Sequence, residues 1–128
     1  MNNISLIGIG KLGLCLALTL EKSGYNVLGC DINKDYVDMI NSKTFNSDED
    51  DVDRLLRASQ NFKATTNLQE CYDHSDMLFV LVATPSLPNG KYDHSQVDRV
   101  INNVLSLKRP EKPKHFVICC TTMPGYCD

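Results

Sequence analysis

Three glycines stand in the run Gly8-Ile9-Gly10-Lys11-Leu12-Gly13, between the apolar segment Ile4–Gly8 and the leucine-rich stretch Leu12–Ser23. Where such a run joins a strand to a helix, the first glycine permits a tight turn. The second lets the backbone approach a diphosphate without a Cβ in the way, and the third lets the helix sit close on the strand. Helix amides and the positive end of the helix dipole then favour an anion without help from a basic side chain, so Lys11 is read as added solvated charge. A second apolar segment, Asn26–Cys30, ends in Asp31, 18 residues beyond Gly13, near the interval of about 20 at which an acidic side chain meets a ribose. Accepting from both ribose hydroxyls, and repelling a 2′-phosphate, Asp31 favours NAD over NADP. Lys34, three residues on, would offset part of that repulsion. The competing use of Asp31 is as cap of the helix that starts near Lys34.

These residues need a scaffold of strands whose carboxyl ends share one edge. Short apolar runs rich in β-branched residues alternate with longer stretches of helical spacing, the pattern of an α/β fold: a doubly wound, mainly parallel Rossmann-type sheet with helices on both faces. Strands are expected at Ile4–Gly8, Asn26–Cys30, Lys63–Thr65, Met77–Val82 and His115–Cys120, and helices at Leu12–Ser23, Lys34–Asn41, Glu49–Ala58, Leu68–Tyr72 and Ser95–Leu107. The first helix is apolar nearly all round and should be buried, with Gly24 as its stop. In the last, Val97, Ile101, Val104 and Leu105 suit a face packed on the sheet, and Asp98, Arg99, Asn102 and Asn103 can face water. The acidic run Asp48-Glu49-Asp50-Asp51 suits a helix N-terminus. The loop Ala83–Asp93 follows a strand apolar enough to be central, which puts it at a carboxyl end where ligands of open α/β sheets bind; Lys108–Lys114 reads as a surface connector.

At 128 residues one domain spanning 1–128 is expected. A charged fraction of 23% and a net charge of −3 lack the basic excess of a nucleic-acid binder, and neither a signal peptide nor a membrane span is read. The six cysteines show no framework spacing, so reduced, buried thiols in a cytoplasmic protein are the expectation. Three histidines, far from any Cys-x-x-Cys pair, argue against structural zinc.

Two more segments follow strands: Val82-Ala83-Thr84-Pro85-Ser86, continuing through Asn89-Gly90 to Asp93 and Ser95, and Cys120-Thr121-Thr122-Met123-Pro124-Gly125. With the glycine turn, and over essentially the whole chain, they resemble the UDP-glucose/GDP-mannose dehydrogenase family, in which a strand ending Val-Pro-Thr-Pro-Ser is followed by an acidic Asp-Gly loop and a later Ser-Thr-Val-x-Pro-Gly. The resemblance implies that Ile9, Gly10, Lys11 and Leu12 line the pyrophosphate, Asp31 the ribose, and Thr84 and Thr121 the nicotinamide half of NAD, with Val82, Gly8 and Gly13 also cofactor-binding. Thr84 bonding backbone in a turn, and Thr121 ending a strand, are the plain alternatives. Glu49 to Leu56 is similar to the family's Glu-Pro-Gly-Leu helix start.

Ala83 stands where the family has proline, which loosens the loop. Cys120 replaces a serine and donates weakly, and Asp50-Asp51 replace Pro-Gly. Enzymes similar to this chain oxidise a sugar C6 alcohol to the aldehyde and then the acid, through a thiohemiacetal on a cysteine in a later domain. None of the six cysteines lies in that Phe-Gly-Gly-x-Cys-x-Pro-Lys motif, and Cys127 lacks a nearby His or Lys that would activate it. The chain is therefore expected to be the NAD-binding part of a nucleotide-sugar 6-dehydrogenase, homodimeric when intact, ending before the catalytic domain. A 3-hydroxyacid or 6-phosphogluconate type of dehydrogenase, or a non-catalytic nucleotide-sensing module, are the competing readings.

Overall fold

Gly8 ends the first strand at the same sheet edge where two neighbours also end, and the architecture follows from that edge. The computed structural model describes residues 2–47, 49–107 and 113–127; Asp48 of the acidic run and residues 108–112 of the expected connector lie outside them. Strands β1 (Asn3–Ile7), β2 (Asn26–Cys30), β3 (Phe62–Thr65), β4 (Met77–Val80) and β5 (His115–Ile118) pair in parallel in the order β3-β2-β1-β4-β5. Ile7 sits opposite both Cys30 and Val80, so the three central strands end together. The amides of Gly8 and Leu81 close this edge by donating to the carbonyls of Cys30 and Ile7, each at 2.8 Å.

Period-two alternation divides the strands between two cores. On one face, Ile4, Leu6, Val27, Phe62 and Ala64 pack with α1 (Lys11–Lys22), α2 (Lys34–Ser42) and α3 (Asp50–Ala58). On the other, Ile7, Leu28, Cys30, Leu78 and Val80 pack beneath α4 (Leu68–His74) and α5 (Ser95–Leu105). The buried Ser5 hydroxyl donates to the Cys71 carbonyl at 2.6 Å, which satisfies the polar group this second core encloses.

Several element ends differ from the expectation. The fourth strand stops at Val80 rather than Val82, because β1 has already turned at Gly8 and offers no partner beyond Ile7. The fifth stops at Ile118 for the same reason, one strand further out. Helix α1 is not buried all round: Leu14, Ala17 and Leu18 face the core, but Leu12 is 68% exposed at the carboxyl edge of the sheet. Gly24 does stop it, with φ +102 and its amide donating to Glu21 at 3.0 Å. In α5 the packed stripe is Val97, Val100 and Val104. Ile101 and Leu105, expected on that face, are turned outward, Leu105 to 77% exposure, beside the edge strand β5.

Polar side chains finish the two outer strands. Asn41 of α2 brackets Ala64 of β3, donating to its carbonyl at 2.9 Å and accepting from its amide at 2.8 Å, as a further strand would. Lys114, expected only to end a surface connector, inserts its ammonium under α4. It donates to the carbonyls of Tyr72 at 2.7 Å and Ser75 at 3.0 Å and lies 4.9 Å from the Tyr72 ring centroid.

Ile9, fully buried, crosses under β2 at Gly29, where an added Cβ would lie 2.5 Å from its Cγ2. Gly29→Ala is therefore expected to lower stability by about 1–3 kcal/mol through overpacking, and by less than half of that in an Ile9→Ala background. Urea unfolding of the four proteins of this cycle tests the contact; additive losses would show that Ile9 is not what excludes the Cβ.

Candidate functional site

The sheet reverses its winding between β1 and β4, since the connection after β1 leads to β2 on one side while the connection after β3 leads across to β4 on the other. Ligands of open α/β sheets bind outside the carboxyl ends at such a point. A groove of about 570 Å³ lies there, within the range of small-molecule sites. Its floor includes Ile7, Cys30 and Leu68, one wall carries Gly8, Gly10, Lys11, Leu12 and Gly13, and Asp31 and Ile32 form its rim above β2.

The glycine turn is built as its spacing requires. Gly8 has φ +96, and a Cβ on it would come within 2.9 Å of the Leu81 backbone. A Cβ on Gly13 would lie 2.3 Å from the Gly8 carbonyl oxygen, so only glycine lets α1 start this close to β1. At Gly10 a Cβ would meet no protein atom within 4 Å. Gly10 is thus free of packing constraint, and what its lack of a side chain leaves open is the groove itself. The first-turn amides of α1 have no intrahelical acceptors, and no acidic side chain occupies that turn, so a cradle for an anion is present at the positive end of the helix.

Asp31 does not cap α2. Asn33 does, its side chain accepting from the Tyr36 amide at 3.1 Å. Asp31 Oδ1 accepts from the Asn33 amide at 3.0 Å, which fixes the carboxylate at the groove rim. Lys34 is directed elsewhere, pairing with Asp38 at 3.0 Å, so it does not stand over Asp31 as expected. Lys11 faces Glu49 at 3.9 Å, the residue that precedes α3 as its N-cap.

Of the sequence-derived site residues, Gly8, Gly10, Lys11, Leu12, Gly13, Asp31 and Val82 are brought together on the groove. Ile9 does not line the groove, since its side chain is in the core and its carbonyl accepts from the Tyr36 hydroxyl at 2.5 Å. Thr84 and Thr121 do not line the groove; they lie farther along the loops that leave β4 and β5.

Those two loops are joined through His94 and Tyr126, which lie outside the residues that the motifs picked out. The loop after β4 folds on itself through a Ser86–Tyr92 bridge, with a turn at Gly90 (φ +81), and Asp93 accepts from the Ser95 amide at 2.9 Å to start α5. That bond holds the Asp93 carboxyl below the usual range. Next to it, His94 Nε2 accepts from the Met123 amide at 3.1 Å, and its ring stacks on Tyr126 at 3.8 Å between centroids. The Tyr126 hydroxyl donates to Asp98 of α5. The Pro124-Gly125 pair, read only as family pattern, was the available sign that the chain turns back here.

All six cysteines are free, but only Cys30 and Cys71 are fully buried, and Cys127 is exposed. This narrows the expectation of buried thiols to two of the six: β5 is an edge strand, so Cys119 and Cys120 are only partly covered. Burial, and then the Asp31 charge, pushes the Cys30 thiol up to about 11; burial, and then Cys30, pushes Cys71 up to about 12. Burial also raises Cys15, Cys119 and Cys120. These five are held as thiols at neutral pH, the opposite of what a nucleophile needs. Among the described residues, no helix is long and apolar enough to cross a membrane.

A parallel sheet of this order, with a glycine-lined helix start at its switch point and an acidic residue ending β2, defines a Rossmann-type dinucleotide-binding domain. More specifically, the chain belongs to the UDP-glucose/GDP-mannose dehydrogenase family: the model of the family's NAD binding domain matches residues 2–128. GDP-mannose 6-dehydrogenase of Pseudomonas aeruginosa is 29% identical over 126 residues, covering 95% of this chain. The crystal structure of a GDP-mannose dehydrogenase from that organism superposes with a TM-score of 0.88 at 27% identity, over 95% of this chain and 29% of its own. An NDP-N-acetyl-D-galactosaminuronic acid dehydrogenase of Ralstonia nicotianae is 37% identical over 98 residues, 74% of this chain and 22% of that protein. This chain spans 29% of the length of the Pseudomonas aeruginosa relative.

The Asp98 hydrogen bond, with a lesser part from burial, pushes the Tyr126 phenol up to about 12. Because the neutral phenol is the donor, that bond holds below the ordinary phenol range and is lost as pH rises through about 12. Asp98→Asn is expected to bring one phenolate transition down toward the ordinary value of about 10. Ultraviolet titration checks it; an unchanged titration would show that the carboxylate does not hold the proton.

Proposed function

We infer that this chain is the cofactor-holding part of a nucleotide-sugar 6-dehydrogenase and that NAD occupies the groove at the switch point. The observation that carries this is the convergence on one groove of the glycine cradle and the Asp31 carboxylate. In this reading the α1 amides and the open face of Gly10 orient the pyrophosphate, and Asp31 accepts from the adenosine ribose hydroxyls. Ile32, 91% exposed at the rim, covers the adenosine. Val82 lines the groove, and Thr84 and Thr121 belong to the nicotinamide side. That assignment rests on the family resemblance and on their position after β4 and β5.

NAD, when bound, supplies the hydride acceptor for oxidation of the sugar C6 alcohol. The chain's own residues bind and orient it. None of the six cysteines lies in the family's catalytic motif, so on the resemblance the covalent chemistry of the second oxidation belongs to a cysteine of a later domain, and the domain alone should bind cofactor without turnover. The nucleotide sugar as substrate, homodimeric assembly of the intact enzyme and a cytoplasmic location are parts of the same proposal and rest on the resemblance.

Two substitutions test the groove. Gly10→Val is expected to abolish measurable NAD binding in calorimetry while costing the fold only about 1 kcal/mol or less at the helix start; retained affinity would remove the pyrophosphate from this turn. Gly13→Ala should instead lower the unfolding midpoint, because its Cβ meets backbone.

Asp31 is the second target. The intact domain should bind NAD at least tenfold more tightly than NADP, and Asp31→Ala should narrow that ratio. Equal affinities before substitution would end the ribose assignment.

A further inference from the structure

Gln96, Arg99, Val100 and Asn103 recur at intervals of three and four along α5, so they share one helix face. That face lines the groove across from the glycine turn. Its orientation is set from behind, since Val97 is fully buried and Val100 and Val104 pack on the cluster around Leu78 and Val80. Arg99 is thereby held at the groove by the same packing that seats α5 on the sheet.

The charges around the groove are unequally matched. Lys11 faces Glu49, Lys34 pairs with Asp38, the Asp31 carboxylate on the rim accepts from the Asn33 amide, and Asp98, adjacent to Arg99, accepts from Tyr126. Among the described residues, Arg99 has no carboxylate within ion-pair distance. A cation on the wall of a ligand-sized groove, without a counter-ion of its own, favours a ligand that brings negative charge. A guanidinium keeps its charge at any working pH and offers several donors to phosphate oxygens.

We propose that Arg99 is the counter-charge for the diphosphate of the ligand held in this groove and a determinant of its affinity. The inference rests on the reading of the groove as the dinucleotide site. The division of labour is physical: the α1 amides act at hydrogen-bond range and fix the orientation of the diphosphate. Arg99 acts from the opposite wall through its charge, so its contribution is screened by salt while that of the amides is much less so.

Calorimetry on the full chain with NAD, ADP and adenosine, at low and high salt, tests the assignment in the wild type, Arg99→Gln and Arg99→Lys. Attraction between opposite charges across a partly solvated groove is enough for roughly a tenfold change in affinity. Arg99→Gln is therefore expected to weaken NAD and ADP by about that factor at low salt and to flatten their salt dependence. Adenosine, which carries no phosphate, should change by less than about twofold, and Arg99→Lys should keep most of the affinity for ADP. Thermal unfolding should be the same in all three proteins, since the side chain is exposed.

Unchanged ADP affinity and salt dependence in Arg99→Gln, with the wild type binding normally, would overturn the role of Arg99 and leave the groove assignment standing. An equal loss for adenosine and ADP would also overturn it, by showing that the side chain contacts the base. A wild type that binds neither NAD nor ADP would overturn the groove assignment, and this inference with it.

Discussion

At the start of α1 the constraint is backbone against backbone: the Gly8 carbonyl oxygen would lie only 2.3 Å from a Cβ on Gly13. Because neither residue has a side chain there, α1 can begin directly above the end of β1. Its first amides, left without partners by helix geometry, then open onto the groove. The same junction sets how Ile9 drops into the core beneath Gly29 and where Leu12 emerges at the rim. A bulkier residue at either glycine would move the helix start, and with it the cradle.

The second determinant is the level ending of β2, β1 and β4. Ile7 faces Cys30 on one side and Val80 on the other, so the glycine turn, Asp31 and the start of the Ala83–Asp93 loop reach one edge together. Strand order supplies the gap between them. Neighbouring connections run to opposite sides of β1, and among the described residues no crossover helix fills the space above the carboxyl ends there. Asp31 is held in that space by the Asn33 amide, and cap duty passes to Asn33.

The far side of the sheet is finished in a different way. Asn41 closes β3 with a pair of hydrogen bonds, whereas β5 is a short edge strand that leaves Phe116 and Val117 exposed and lies beside the outward-turned Ile101 and Leu105 of α5. On that side the stacked His94 and Tyr126, with Asp98 and the Met123 amide, tie the start of α5 to the turn that follows β5. Two loops well separated in sequence are thereby tied to each other. Family membership accounts for the motifs in those loops, but the tie itself comes from side chains outside the motifs.

Much of this was legible in the sequence because it depends on local chemistry. Strand and helix types follow from hydrophobic period, the turn from three glycines at fixed spacing, and the acidic residue after β2 from the length of one strand–helix–strand unit. Tertiary structure alone decided what depends on partners distant in the chain. It put the Ile9 side chain in the core and not on the ligand side, ended β4 where β1 no longer paired with it, and left Leu12, Ile101 and Leu105 exposed despite their apolar character. It also set Arg99, which the helical pattern assigned simply to water, on the wall of the groove. The reason is geometric: periodicity gives the face of a helix on which a residue lies, while the rotation of that helix on the sheet is chosen by the packing of all its neighbours at once.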